Sequence, residues 1–167
     1  MIRILITILL VIAMIGCNSY TDFEKEPDIK EKFKFSAVWQ DIARDTLRVF
    51  DIEVKQGFDP PNIYELRDRV TNKRIEYKHP FLITDITDST FISISGNATF
   101  ESGMRYLLSP NYSRLMLINQ GNLEILLDIK VDEHISNAKE INGYVYFWYR
   151  TDQENRISYS LGRVKIE

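Results

Sequence analysis

A single cysteine in 167 residues leaves no internal disulfide, and two histidines leave a zinc site short of ligands. Seven Gly, five Pro and no low-complexity tract exclude collagen-like and linker-type chains. Neither sign of charge dominates, with 21 basic residues against 24 acidic ones and a net charge of −3. Nucleic-acid binding, which needs a basic excess or stripe, is not expected. No Gly-x-Ser-x-Gly elbow and no Gly-rich phosphate loop occurs, so no enzymatic activity and no cofactor are expected. What is present is an ordinary globular composition, 44% hydrophobic and 12% aromatic, in a length that suits one domain.

The one long apolar run lies at the N-terminus. Arg3 is followed by Ile4 to Gly16, broken only by Thr7, and polar Asn18, Ser19, Thr21 and Asp22 come at once behind. Thirteen helical residues span roughly 20 Å, short of the ~30 Å hydrocarbon core, so the run reads as an export signal and not as a membrane span.

Met14-Ile15-Gly16-Cys17 resembles a lipobox, the motif at the cleavage site of bacterial lipoproteins, with Met14 where Leu is usual. The resemblance covers residues 1–17. It implies that 1–16 are a lipoprotein signal peptide, and that Cys17 is acylated and becomes the mature N-terminus. The membrane is then a partner through that lipid, in the bacterial cell envelope. Asn18 in place of an Asp favours the outer membrane over the inner. Each buried methylene contributes about 0.8 kcal/mol, and a multiply acylated cysteine anchors stably by itself. The domain is therefore expected to need no membrane-binding surface of its own. Loss of Arg3 with the signal leaves 20 basic against 24 acidic residues, a balance that suits hanging near an anionic membrane without lying on it. Residues 17–32 comprise the lipidated Cys and a polar stretch of mixed charge with a single Phe23, read as a solvated tether. A short helix from Pro27 is the alternative.

From residue 33 to 167 the dominant period is two, which predicts a β-rich globular domain. Phe33, Phe35, Ala37 and Trp39 alternate with polar Lys34 and Ser36, and Leu123, Ile125, Leu127, Ile129 and Val131 alternate with Glu124, Asp128 and Lys130. The second series predicts one core face and one largely solvated face. Phe91–Ser95, Met104–Leu108 and Arg114–Ile118 read as further strands. Turns are predicted at Asn119–Asn122, Thr71–Arg74 and Thr151–Arg156, and a loop at Asp59–Asn62, where two prolines cannot serve a ladder. Ile157, Tyr159 and Leu161 share one parity, Val164 and Ile166 the other, which predicts a bulge or bend at Gly162. Leu47 and Val49 give way similarly to Phe50, Ile52 and Val54, while Ser36–Leu47 also fits a short helix. The expected fold is a single antiparallel β-sandwich or barrel of about ten short strands with at most one or two short helices.

The size, the export signal and an early strand bearing Trp39 look like a lipocalin, although Ala37 stands where that family has its Gly. Leu108 to Leu115 resembles the Ser-Pro-Asp-Gly turn of certain β-propeller blades, with Asn111 and Tyr112 replacing the Asp and Gly. Neither resemblance carries a functional residue over.

Tyr144-Val145-Tyr146-Phe147-Trp148-Tyr149 puts five aromatics in six residues. In a strand, Tyr144, Tyr146 and Trp148 share a face that is either core or a binding surface. Trp148 is expected in the core, with the Tyr hydroxyls nearer solvent. His79 and His134 read as ordinary loop histidines, and Asp85 and Asp88 as turn residues, so no metal site is expected. The leading functional expectation is a non-catalytic protein-binding module of the envelope, of the immunity-inhibitor or adaptor type. A lipocalin-like carrier of an apolar small molecule is the alternative, and an envelope enzyme ranks below both.

Overall fold

A computed structural model describes residues 20–28, 52–56, 64–96, 112–153 and 156–167, with the side chains of 53–56 and 152–157 outside that description. Cys17, the signal segment, the Phe33–Trp39 strand, the Ser36–Leu47 helix, the Asp59–Asn62 loop and the Met104–Leu108 strand lie outside the described residues. Within them the chain is all β. Eleven strands run in order: β1 Glu24–Lys25, β2 Ile52–Gln56, β3 Tyr64–Asp68, β4 Arg74–Glu76, β5 Phe81–Thr84 and β6 Thr90–Gly96; then β7 Ser113–Asn119, β8 Ile125–Val131, β9 Ile135–Ile141, β10 Tyr144–Gln153 and β11 Arg156–Lys165. Every pairing is antiparallel.

Three open sheets result: a large one ordered β1-β11-β10-β9, a middle one ordered β5-β6-β7-β8, and a small one ordered β2-β3-β4. The large and middle sheets form the sandwich. Between them lie Ile92 and Ile94 of β6, Leu115 and Leu117 of β7, Ile129 and Val131 of β8, and Val145, Phe147 and Tyr149 of β10. The barrel alternative, which the lipocalin resemblance also implies, is not formed, because the described strands leave the sheets unclosed.

The middle sheet is covered on its other face as well. Phe81 and Ile83 of β5, Phe91 of β6, and Met116 and Ile118 of β7 pack against Ile52, Leu66 and Ile75 of the small sheet. Every residue of β6 is buried. Its Ser93 is accommodated by hydrogen bonding, as a buried hydroxyl requires: the Ser93 and Tyr77 hydroxyls lie 2.8 Å apart. Desolvation pushes the Tyr77 phenol well above its ordinary pKa, so this group stays neutral.

The predicted turns at 71–74 and 119–122 join β3 to β4 and β7 to β8. Asp68 organises the first by accepting the Val70 and Thr71 N–H groups and the Thr71 hydroxyl. A third hairpin turn, Asn142-Gly143 between β9 and β10, has positive φ at both residues (50° and 78°). Asn-Gly is the residue pair such a turn favours.

Two expectations about strand faces are corrected. Ile125 does not join the core with Leu123, Ile129 and Val131; it is 39% exposed. The β7–β8 ladder shifts register between Leu117 and Ile118, and Leu123 turns the chain at a φ of 50°, so the alternation does not survive across the hairpin. Gly162 marks no bulge: β11 pairs with β10 without interruption from Arg156 to Lys165. The glycine serves packing instead, since a Cβ there would sit 2.8 Å from the Phe23 ring and 2.9 Å from that of Phe147.

Phe23 belongs to the stretch read as a solvated tether, and residues 20–28 are instead docked. The Thr21 N–H donates to the Lys130 carbonyl at 2.7 Å on the β8 edge. Two residues on, the Phe23 ring makes edge contacts with Phe147 and Tyr149, at centroid distances of 5.0 and 5.2 Å. Glu24 and Lys25 then pair with Arg163 and Gly162 on β11. This strap laces one open edge of the sandwich. The opposite edge is stitched by polar groups: Asp85 Oδ2 accepts the Glu140 N–H at 2.7 Å, Thr90 Oγ1 donates to Glu140 Oε2, and Thr84 Oγ1 donates to Asn137 Oδ1.

Candidate functional site

β10 lies between β9 and β11, so neighbours flank it on both sides and its two faces differ only in what covers them. Val145, Phe147 and Tyr149 take the core face. Tyr144, Tyr146 and Trp148 share the outer one, opposite Lys165, Arg163 and Leu161 on β11 and Ile141, Lys139 and Asn137 on β9. Trp148 is therefore half-buried on the face turned from the core, and the fully buried aromatic of the series is Phe147. Tyr146 is buried and Tyr144 half-buried.

Arg163 organises this face. Its Nε and Nη2 donate to the two Glu24 carboxylate oxygens at 2.6 and 3.1 Å, and Nη1 donates to the Tyr146 hydroxyl at 3.3 Å. The guanidinium carbon stands 4.7 Å from the Tyr144 ring centroid and 6.0 Å from that of Tyr146. A planar cation held by a bidentate carboxylate is well suited to stack on aromatic faces. The Glu24 and then the Tyr146 hydrogen bonds raise the Arg163 pKa still further. Lys139, Arg150 and Lys165 lie on the same face by register, and Tyr159 beyond them is 45% exposed. The face combines aromatic area with cationic hydrogen-bond donors, which is contact chemistry.

The remaining sequence candidates do not join it. Asp85 and Asp88 sit in a loop built from hydroxyls and amides: Thr87 Oγ1 accepts from the Ser89 and Thr90 N–H groups, and the Gln120 side-chain amide donates to the Thr87 and Thr90 carbonyls. His79 meets the Tyr112 ring edge-on at 6.2 Å, and burial lowers its pKa. His134 is buried, and its carbonyl accepts the Arg150 N–H. Among the described residues no three His, Cys, Asp or Glu side chains converge as metal ligands. Ser136 and Lys139 have the Ser-x-x-Lys spacing of some acyl-transfer enzymes. They lie on extended β9, where three residues span about 10 Å, not on the helix that would make them neighbours.

No family model, no curated protein and no solved structure matches this chain.

Proposed function

We propose that this chain is a lipoprotein of the bacterial cell envelope, anchored through acylated Cys17, whose β-domain captures a protein partner without catalysing a reaction. Residues 1–16 are its export signal, and Asn18 favours the outer membrane. The observation that carries the reading is the outer face of the large sheet. Tyr144 and Trp148 present half-exposed aromatic area, and Arg163 is fixed between Glu24 and Tyr146. Rigid aromatics beside an ordered arginine lose little entropy on binding, which is why such residues dominate interface energetics. An immunity-type inhibitor or an envelope adaptor would use such a face.

Two measurements test the two halves. Acyl labelling of the wild type and of Cys17→Ser should give label and processing only in the wild type; a processed, membrane-bound Ser variant would overturn the anchor. A photo-crosslinking amino acid at position 144 should trap a discrete protein in intact cells, whereas one at Val70, 78% exposed on the β3–β4 turn, should not. Equal patterns from both positions would overturn the surface.

A further inference from the structure

Only Asn18 and Ser19 stand between Cys17 and Tyr20. From Thr21 onward the chain is tied to the Lys130 backbone: the Thr21 N–H donates to its carbonyl, and the Lys130 N–H donates to Thr21 Oγ1 at 3.2 Å. The four residue steps from Cys17 to Thr21 reach at most about 14 Å when fully extended, little more than the ~10–12 Å diameter of one α-helix. An acylated Cys17 lies at headgroup level because its chains fill the hydrocarbon beneath it. The strap therefore leaves no room for a second folded protein between the bilayer and this end of the sandwich.

The chemistry at that end suits the same neighbour. Tyr20 is 40% exposed, and Lys130 Nζ stands 5.2 Å from its ring and 4.2 Å from the ring of Tyr112. His79 meets the Tyr112 ring edge-on. Amphipathic rings with an amine among them are the side chains found where headgroups meet protein. Resting on the anchor proposed above, we infer that the Tyr20–Tyr112–Lys130 end of the sandwich lies directly on the phospholipid headgroup layer. The docked strap, and not a free tether, sets the distance of the domain from the membrane. This reverses the expectation that the domain hangs clear of the bilayer.

The test uses the full processed protein in phospholipid vesicles containing nitroxide-headgroup lipid. Acylation consumes Cys17, so one introduced cysteine carries a fluorophore uniquely. Asp132→Cys places it two residues past Lys130, and Asn122→Cys places it in the β7–β8 turn, at the far end of β8. Quenching should be several-fold stronger at 132 than at 122. A Gly/Ser insert of about twelve residues between Ser19 and Tyr20, spanning roughly 19 Å, should abolish that difference while leaving the melting temperature unchanged. Acylated protein with equal quenching at both positions, or quenching unmoved by the insert, overturns the contact and leaves the anchor standing. Absence of acylation at Cys17 overturns both.

Discussion

The Phe23 ring rests on the bare backbone of Gly162, so close that a methyl group there would lie 2.8 Å from two of its carbons. The two residues are 139 positions apart, and their contact fixes how the N-terminal strap crosses from β8 to β11. Neither ring facing Gly162 can yield easily, because Phe23 and Phe147 brace each other edge to face at 5.0 Å. Gly162→Ala should therefore cost about 1–3 kcal/mol, the usual range for overpacking. In the Phe23→Ala background the same change should cost far less, a coupling that a double-mutant cycle in urea measures directly. Additive losses would mean that the clash is relieved elsewhere.

The aromatic strand gives the next contrast. Phe147 is fully buried, whereas Trp148 is half-buried on the opposite face. Phe147→Ala should cost about 3–5 kcal/mol. Trp148→Ala should cost about 1–2 kcal/mol, since part of its surface is already in water. Chemical denaturation of both variants decides it; equal losses would place Trp148 in the core after all.

Against the middle sheet, Tyr77→Phe removes the buried partner of the Ser93 hydroxyl, which lies 2.8 Å away. An orphaned buried hydroxyl costs about 1–3 kcal/mol, so the single variant should melt lower. Adding Ser93→Ala should return most of that loss. A double variant worse than the single would show that Ser93 matters through another contact.

Two aspartates should respond to pH with opposite signs. Burial raises the Asp85 carboxyl above its ordinary value, partly offset by the Glu140 N–H bond. Its stabilising contribution is therefore present at low pH and is lost as pH rises through the raised value. Hydrogen bonds from the Thr71 hydroxyl and backbone lower the Asp68 carboxyl, so its contribution is present above the ordinary value and is lost as pH falls through the lowered one. Asp85→Asn should thus gain on the wild type in urea midpoint as pH rises above about 4, the ordinary carboxylate value, helped by asparagine's tolerance of the left-handed backbone at φ 48°. Asp68→Asn should fall behind above about pH 4, the ordinary carboxylate value, and draw level as pH falls through the lowered one. A parallel response of the two variants would refute the assignment.

Local pattern by itself determined the all-β class, the antiparallel sense and the turns at 71–74 and 119–122, because side-chain alternation and turn chemistry act over a few residues. The Asn142-Gly143 turn was equally legible. So was the burial of β7 on both faces, written in the unbroken apolar run from Leu115 to Ile118. Tertiary structure alone decided which face of β10 is core. Both faces carry aromatics, and a period of two separates faces without saying what will cover each. It decided as well that a two-residue strand in a charged stretch would dock. Nothing local marks Glu24 and Lys25 as a strand; their order comes from a free edge on β11, a glycine opposite and a gap between two sheets that the Phe23 ring fills. Those three conditions come from residues distant along the chain, so they exist only once the sandwich has closed.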